Sequence, residues 1–295
     1  MKDGMKQEPL LTVKNLNVAF PSAKGEVQAV RDISFAMGKE KIGIVGESGS
    51  GKSVTGRAIL RLLPPHARVE AAEISFAGQN LPDLSEKEMR RIRGNEISMV
   101  MQDPKYSLNP VRSVGEQIME AYLTHHKVSR KEAKERSVAM LEAVRIRDPR
   151  RVFDLYPNEV SGGMGQRIMI AMMLIPEPRL LIADEPTSAL DVTVQLQVLA
   201  ILDDLVSQRG MGLIFVSHDL ELVASFCDRV IIMYHGRIME IIEAGKLHQS
   251  VHPYTRGLLN CLPKIDGERA PLPTLQRDAA WLESGSSGGV EHVAG

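Results

Sequence analysis

The chain has 295 residues, of which 43% are hydrophobic and 25% are charged, so it can bury a globular core in one large domain or two smaller ones. Its 36 basic and 37 acidic side chains give a formal net charge of −1, which provides no electrostatic reason to expect nucleic acid as a partner. Apolar runs such as 168–175 are about half as long as a bilayer span, and the N-terminus lacks the apolar core of a signal peptide, so we expect a cytoplasmic protein with no membrane-spanning segment.

The N-terminal part of the chain predicts mainly strands. Residues 10–20 and 29–37 alternate between apolar and polar side chains, and the loop 21–27 between them favours an antiparallel pair. A short buried strand, 41–46, then precedes a Gly/Ser-rich loop and a helix that extends to about Leu63. Two further strands complete this part of the chain, 73–78 and 96–102, and a charged helix at 85–93 lies between them.

Helices alone are predicted next, which indicates a helical insertion into an α/β core. They are 113–126, 129–146 and 148–156, and Ser129 is the expected N-cap of the second. Strands and helices then alternate, which favours a parallel sheet covered on both faces. The predicted strands are 179–185, 212–218, 229–235 and 237–242, and the predicted helices are 193–209 and 219–227.

A phosphate-binding loop is predicted at residues 46–53. Their sequence, GESGSGKS, fits the pattern G-x-x-x-x-G-K-[ST] between a predicted strand and a predicted helix. Glycines let backbone N–H groups fold around phosphates, the Lys52 ammonium can reach the β and γ oxygens, and the Ser53 hydroxyl can bind Mg²⁺. The predicted nucleotide-binding residues are Gly46, Glu47, Ser48, Gly49, Ser50, Gly51, Lys52 and Ser53.

Polar side chains end three other predicted strands. Asp184 can enter the Mg²⁺ shell, and the next carboxylate, Glu185, can polarise the attacking water. His218 is a candidate contact to the γ-phosphate, and Gln102 is a candidate contact to the metal or the water. Each of these residues alone is also typical of an ordinary strand end, but the phosphate loop elsewhere in the chain favours the catalytic interpretation.

A second anion site is predicted at a Ser-Gly-Gly turn before the apolar stretch 168–175. The Ser161 hydroxyl and the N–H groups of Gly162 and Gly163 would lie at the N-terminus of a helix, where an anion is stabilised. Because the chain already has one phosphate loop, we expect this turn to serve the nucleotide of another subunit. The alternative is a Gly-rich helix start that binds nothing.

Together these motifs resemble the nucleotide-binding subunit of an ATP-binding cassette (ABC) transporter. They are GESGSGKS, MQDP, VSGGMGQR, LLIADEPTSALD and FVSHD, in that order, and the resemblance covers about residues 10–265. It implies an α/β fold: a P-loop NTPase core with a parallel-rich sheet, an N-terminal antiparallel β subdomain and an inserted α-helical subdomain. We expect an ABC ATPase domain at 9–265 (core 9–103 and 162–250, helical subdomain 104–161), a C-terminal importer-type extension at 251–282 and a disordered Gly/Ser-rich tail at 283–295.

The resemblance also implies a head-to-tail dimer that holds two ATP molecules, each between the phosphate loop of one subunit and the Ser-Gly-Gly turn of the other. Ser161 and Gly163 would then contact the partner's γ-phosphate. Phe20 would stack on adenine, although a Phe at a strand end is also typical of a core residue. The loop facing the partner site would comprise Ser188, Ala189, Leu190 and Asp191.

The signature departs from the commonest family form at Val160 and Met164, where Leu and Gln are usual. Its form, SGGM-x-QR, is typical of importers for dipeptides, oligopeptides and nickel, and HPYTRGLL at 252–259 resembles the C-terminal helix of that subgroup. Many members carry a four-cysteine iron–sulfur motif in the tail. Only Cys261 lies in that region here, so no cluster is predicted, and both Cys227 and Cys261 are expected to be buried thiols.

The predicted function is ATP hydrolysis that powers solute import, with ATP and Mg²⁺ as cofactors. The resemblance implies as partners two transmembrane permease subunits, a second ABC ATPase subunit (a copy or a paralogue) and an extracytoplasmic solute-binding protein, with no nucleic acid. The chain would lie peripherally on the cytoplasmic face of the inner membrane. Peptides are the expected solute, with nickel, opines and glycosides as alternatives. The alternative function is a soluble ABC ATPase that acts on ribosomes or DNA.

Overall fold

A computed structural model of the chain describes residues 8–23, 25–101, 107–188, 190–262, 278 and 281. The chain divides into two compact units, the first made of Met1–Asp83 and Ser217–Gly295 and the second of Leu84–Val216. The boundaries of these units differ from those of the predicted core and helical subdomain, and that division of the chain stays a prediction. Within the described residues, no helix is both long and apolar enough to cross a membrane.

The first unit contains an antiparallel sheet. The predicted pairing of the first two strands is confirmed, but the hairpin is tighter than expected, because pairing continues to Ser22 opposite Gly25. Phe20 lies opposite Val27 in this extension, and such apolar cross-strand pairs stabilise a sheet. The strands are β1 (Leu11–Ser22), β2 (Gly25–Met37), β4 (Arg68–Glu70), β5 (Glu73–Phe76) and β6 (Gln79–Asn80), in the order β2-β1-β5-β6 with β4 paired to β1.

A second group of strands in the first unit supports the phosphate loop. Strand β3 (Lys41–Val45) is parallel to β10 (Arg229–Tyr234), which is antiparallel to β11 (Arg237–Glu243). The helices of this unit are α1 (Lys52–Ile59), α8 (Leu220–Phe226) and α9 (Pro253–Asn260). Helix α1 ends before the predicted Leu63, because Arg61 adopts a left-handed φ of 53° and the N–H of Leu62 turns back to the carbonyl of Arg57 at 2.9 Å.

The two cysteines differ in exposure. Cys227 is buried as predicted, and its Sγ would lie 3.2 Å from a Cβ added at Gly43 in β3. Burial raises the pKa of the Cys227 thiol to about 12. Cys261, at the C-terminal end of α9, is half-buried, so the prediction of two buried thiols is wrong for this residue. It stands at the C-cap of a short helix in which only Tyr254 and Thr255 are buried.

Helix α9 is attached to β11 through one carboxylate. Glu240 accepts hydrogen bonds from the Ser250 hydroxyl at 2.5 Å and from the Val251 N–H at 3.1 Å, just before the helix begins. Burial alone would raise the pKa of Glu240, but these bonds and others from Thr255 and the His252 N–H outweigh it and lower that pKa. The carboxylate thus stays charged at the N-terminus of α9, where negative charge is stabilised.

The second unit combines a parallel sheet with helices. Its strands lie in the order β7-β8-β9 and are β7 (Ile97–Val100), β8 (Leu180–Asp184) and β9 (Gly212–Ser217). Its helices are α2 (Glu86–Ile92), α3 (Val114–His125), α4 (Arg130–Ala143), α5 (Pro149–Phe153), α6 (Gly162–Leu174) and α7 (Val192–Arg209). The Ser129 side chain accepts the Glu132 N–H at 3.1 Å, which confirms it as an N-cap.

Close packing between helices of this unit depends on Gly115. A Cβ added to this residue of α3 would lie 2.1 Å from the ring of Phe153 in α5. Real Cβ atoms essentially never approach another heavy atom closer than 3.0 Å, so no side chain fits here without displacing the ring. The glycine therefore sets how closely α3 and α5 approach.

We expect Gly115→Ala to lower the free energy of unfolding. Alanine favours a helix by about 1 kcal/mol over glycine, but overpacking a well-filled interior costs about 1–3 kcal/mol, so the unfavourable effect prevails. Denaturant unfolding of Gly115→Ala and of the wild type would measure the change in the free energy of unfolding. Gly162→Ala is the matched control, because no atom lies within 4 Å of a Cβ added there; equal or greater stability of Gly115→Ala would contradict the packing argument.

Candidate functional site

The predicted phosphate loop connects β3 to α1 and closes around the ammonium of Lys52. Lys52 is 5% exposed, and its Nζ donates to the carbonyls of Gly46 at 2.8 Å and Glu47 at 3.0 Å. The N–H of Ser50 also donates to the Glu47 carbonyl, at 3.1 Å. Gly49 and Gly51 have left-handed φ values of 80° and 98°, which only glycine adopts without strain. Ser48 and Gly49 are exposed at the tip, and Ser53 is half-buried in the first turn of α1.

Backbone atoms of two distant strands hold this loop from behind. A Cβ at Gly46 would lie 2.1 Å from the Met233 carbonyl, and one at Gly51 would lie 2.6 Å from the Ala29 carbonyl. The N–H of Gly236 donates to the Ser50 carbonyl at 3.0 Å. We call residues 29–31 and 233–236 the collar. Backbone contacts require no particular residue type, so no sequence pattern predicts the collar; the one available signal was Gly236 in the turn after β10.

The predicted adenine contact, Phe20, lies in β1 near the hairpin end of the antiparallel sheet. Its side chain is half-buried, and its ring centroid lies 6.5 Å from that of His66 in an edge-on arrangement. The facing residue, Val27, is 56% exposed. An aromatic side chain beside exposed apolar surface can stack on a flat ring, but the stacking role of Phe20 stays a prediction.

In the second unit, two predicted catalytic carboxylates stand at the end of β8. Asp184 is the last residue of this strand and is 2% exposed. Glu185 is half-buried and has a left-handed φ of 47°, while its N–H donates to the Val216 carbonyl at 2.9 Å. A non-glycine residue held in this region costs about 1–3 kcal/mol. The backbone turn at Glu185 is therefore held in place at an energetic cost.

The predicted second anion site is the N-terminus of α6. Ser161 is the N-cap, is exposed, and accepts the Met164 N–H at 3.3 Å. A hydroxyl that accepts in a cap still has a proton to donate. Gly162 faces open space, whereas a Cβ at Gly163 would lie 2.7 Å from the Val194 side chain of α7. Gly162 is therefore the position where a substitution tests the turn with least effect on packing.

A buried side chain joins this helix to the loop that follows Glu185. Gln166 is 1% exposed, and its Nε2 donates to the Pro186 carbonyl through a short hydrogen bond. The neighbouring Arg167 donates to the Gly163 carbonyl at 3.2 Å, and burial lowers the pKa of its guanidinium. Neither residue was predicted from the sequence to have a role in the site. Their signal was the presence of two polar side chains within an otherwise apolar helix.

The remaining predicted site residues occupy exposed loops or lie outside the described part. Ser188 donates its hydroxyl to the Glu185 carbonyl at 3.2 Å, and Asp191 caps α7 by accepting the Val194 N–H at 3.0 Å. Leu190 is half-buried in the same loop, and His218 is exposed directly after β9. Gln102 and Ala189 lie outside the described residues.

Among the described residues, the structure places part of the predicted site residues in two groups. The phosphate loop forms one group in the first unit, and the Ser-Gly-Gly turn and the loop 185–191 form another in the second. The predicted Mg²⁺ ligands include the Ser53 hydroxyl and the buried Asp184 carboxylate, and oxygen donors of this kind suit a hard cation. Among the described residues, no cluster of three or more His, Cys, Asp or Glu side chains could hold a metal ion.

Comparison with known sequences identifies a family and several relatives. A family model described as ABC transporter matches residues 30–188. The chain is 47% identical over 270 residues to the oligopeptide transport ATP-binding protein OppD of Escherichia coli (strain K12), covering 91% of this chain and 80% of that protein. It is 48% identical over 268 residues to the dipeptide transport ATP-binding protein DppD of Bacillus subtilis (strain 168), covering 90% and 80% respectively.

Solved structures with the same fold include two ATP-binding cassettes. One is the dimer of the cassette MJ0796 in a post-hydrolysis state bound to ADP and Pi, with a TM-score of 0.71 and 26% identity over 79% of this chain and 98% of that one. Another is cbiO1 from Clostridium perfringens, part of the transporter complex cbiONQ, with a TM-score of 0.70 and 26% identity over 83% and 92%. The predicted α/β fold class of a P-loop NTPase is confirmed.

The collar generates a prediction at Gly236. This residue has a φ of 81°, and a Cβ would lie 2.7 Å from the Ala29 carbonyl, so Gly236→Ala should displace the N–H that holds Ser50. We expect weaker binding of Mg-ATP, by about tenfold, the equivalent of one lost hydrogen bond. Titration with a fluorescent ATP analogue would measure it. Gly245→Ala is the matched control, because its Cβ meets nothing within 4 Å; unchanged affinity in Gly236→Ala would remove the collar from the site.

Proposed function

The chain belongs to the ABC transporter family of ATPases, and we propose that it powers the import of peptides. One observation carries the proposal: 47% identity to an oligopeptide transport ATP-binding protein, over 91% of this chain. The dipeptide transport relative supports the same class of solute. The alternative, a soluble ABC ATPase acting on ribosomes or DNA, is not favoured, because these relatives are transport proteins.

The phosphate loop would bind the nucleotide through its backbone. Left-handed glycines at 49 and 51 let successive N–H groups face one anion, and the N-terminus of α1 adds the positive end of a helix dipole. Lys52, held beneath the loop by two carbonyls, supplies the charge that neutralises the β and γ phosphates. Phe20 would hold the adenine ring by stacking.

Hydrolysis requires a base, a metal shell and an orienting group. Glu185 would accept a proton from the attacking water, and the left-handed turn at this residue supports that role by fixing where its side chain starts. Ser53, Gln102 and Asp184 would hold Mg²⁺, which when bound neutralises charge that develops on the phosphates. His218 would donate to the γ-phosphate and keep it aligned. Gln102 would also help to place the water.

The Ser-Gly-Gly turn would complete the site of a second subunit. Its exposed hydroxyl and N–H groups at the start of α6 can bind phosphate oxygens, and the MJ0796 cassette with bound ADP and Pi is a dimer. The Gln166 bond to Pro186 would couple phosphate contact at the turn to the loop after Glu185. The loop with Ser188, Leu190 and Asp191 would face the partner, together with Ala189.

The partners follow from this role. Two permease subunits would form the path through the membrane, and the helical subdomain would contact them from the cytoplasmic face of the inner membrane. A second cassette, a copy or a paralogue, would complete the dimer, and an extracytoplasmic solute-binding protein would deliver the peptide. ATP binding would close the dimer and hydrolysis would reopen it, so the γ-phosphate would act as the switch.

The proposed function predicts separate effects of Glu185→Gln on binding and on turnover. An amide cannot accept the water's proton, so we expect ATP hydrolysis to fall by about 10²–10⁴-fold while ATP still binds and the dimer stays closed. In cells that carry this variant as their sole copy, uptake of a radiolabelled oligopeptide should fall to background. Uptake equal to that of the wild type would contradict the proposal of peptide import.

Lys52→Ala provides the matched control for that experiment. It removes the charge beside the β and γ phosphates, so ATP binding itself should weaken. Peptide uptake should fail in both variants, but only Glu185→Gln should accumulate as a closed, ATP-bound dimer in size-exclusion chromatography. Wild-type turnover in Glu185→Gln would remove Glu185 from the mechanism without affecting the family assignment.

A second prediction tests whether the Ser-Gly-Gly turn acts across the dimer. Gly162→Asp places a carboxylate at an open, exposed position, where it would repel the partner's γ-phosphate. The isolated subunit should bind ATP as the wild type does, whereas hydrolysis should nearly disappear. Gly245→Asp, equally open, is the control and should hydrolyse ATP normally.

Mixed dimers make this test decisive. A dimer of one Gly162→Asp chain and one Lys52→Ala chain, purified through two affinity tags, contains one site with both lesions and one with neither, if each site combines two chains. Hydrolysis should therefore return to as much as half of the wild-type rate. If each site were formed within a single chain, both sites of the mixed dimer would be damaged. A mixed dimer without activity would therefore reject the shared site.

A further inference from the structure

Three aromatic rings pack together in the first unit, and none of the three side chains is assigned to nucleotide chemistry. Tyr234 ends β10, Tyr254 lies in α9, and Trp281 lies beyond α9 in the predicted C-terminal extension. Ring centroids are 4.5 Å apart for the two tyrosines, 6.0 Å for Tyr234 and Trp281, and 5.7 Å for Tyr254 and Trp281. All three side chains are at most 8% exposed. We call these residues the aromatic cluster.

The aromatic cluster shares Tyr234 with the collar of the phosphate loop. The residue before Tyr234 is Met233, whose carbonyl faces Gly46, and the residue two positions after it is Gly236, whose N–H holds the Ser50 carbonyl. Tyr234 thus stands, along the chain, between two of the collar residues whose backbone atoms contact the loop. A displacement of its ring would move the backbone on which the loop rests.

The turn that follows Tyr234, and that holds the phosphate loop through Gly236, is too tightly constrained to absorb such a displacement. Tyr234 pairs with Arg237, so His235 and Gly236 form a two-residue hairpin, and both have left-handed φ values, 44° and 81°. This is the tight turn that matches the twist of paired strands. The N–H of Arg31 also donates to the Gly236 carbonyl at 2.7 Å, which fixes the turn from the other side.

The other two rings of the cluster belong to the C-terminal extension, which is bound to the neighbouring strand β11. Tyr254 is fully buried, and Glu240 binds the N-terminal end of its helix to β11, the other strand of the same hairpin. The Trp281 ring contacts both tyrosine rings. The described residues Val251, Tyr254 and Trp281 of the extension therefore contact both strands that lead into the His235–Gly236 turn.

From these contacts we propose that Trp281 and Tyr254 are positioning residues for ATP binding, which act on the phosphate loop through Tyr234 and the collar. The inference rests on the proposed function, since it assigns the loop to ATP. With the extension seated, the collar holds the loop in its binding geometry; without it, the turn relaxes and the loop binds ATP less tightly. Because the coupling is reciprocal, nucleotide in the loop must also favour the seated extension, and we expect this shift to alter the surroundings of Trp281.

The single tryptophan of the chain makes the second half of this proposal measurable. Mg-free ATP and ADP should change the emission of Trp281 in the full-length wild-type protein, and the change should saturate at the same concentration as displacement of a fluorescent nucleotide analogue. Lys52→Ala should shift both titrations together. Nucleotide that binds by displacement but leaves the emission unchanged would overturn the inference while the proposed function stands. No binding by either method would overturn the proposed function.

Substitution tests whether Trp281 affects ATP binding by the phosphate loop. Trp281→Ala should raise the Kd and the KM for ATP by about two- to thirty-fold, the range found when residues that couple sites are changed, with kcat altered by less than about twofold. Trp281→Phe keeps an aromatic ring and should restore most of the affinity. Val251→Ala, at an 81% exposed position of the same extension, is the matched control and should bind as the wild type does. Unchanged affinity in Trp281→Ala, or loss of kcat with unchanged KM, would reject the positioning role. Should that variant prove unstable, the wild-type emission titration still decides the question.

Discussion

Where Gly46, Gly51 and Gly236 meet backbone carbonyls there is no room for a side chain. Each added Cβ would lie between 2.1 and 2.7 Å from a carbonyl oxygen of Met233 or Ala29, and such contacts cannot be relieved by rotating a side chain. The curve of the phosphate loop therefore depends on the path of β2 and β10 as much as on its own sequence. Lys52 then finds its carbonyl acceptors already in place, so binding does not have to organise them.

The second unit uses a different means to the same end. There a buried side chain, that of Gln166, connects two segments, the start of α6 and the loop after Glu185. A buried amide without its acceptor would cost about 1–3 kcal/mol, so the two segments are held in a fixed relation. If the proposed anion binds at the start of α6, this bond would link its contact to the segment that carries the Glu185 carboxylate.

Much of the fold and of the candidate site could be predicted from sequence because the relevant signals are local. The glycines around Lys52, the N-cap at Ser129 and the alternation along β1 all act within a few residues. The collar, the Gln166 bond and the position of Trp281 depend on residues distant in sequence, where only folding creates the contact. The hairpin at Gly25 and the early end of α1 at Arg61 were missed for another reason: each depends on a backbone angle that neighbouring residue types do not specify. The roles of the site residues and the domain boundaries stay predictions.

The contrast between the two cysteines offers a practical means of following the C-terminal extension. With its pKa raised to about 12, the Cys227 thiol stays protonated and shielded at neutral pH, whereas Cys261 is half-buried at the end of α9. A maleimide dye should therefore attach selectively to Cys261 in the native chain. Together with Trp281 as donor, that dye would form an energy-transfer pair within the chain, so the seating of the extension could be followed in the purified subunit without any substitution.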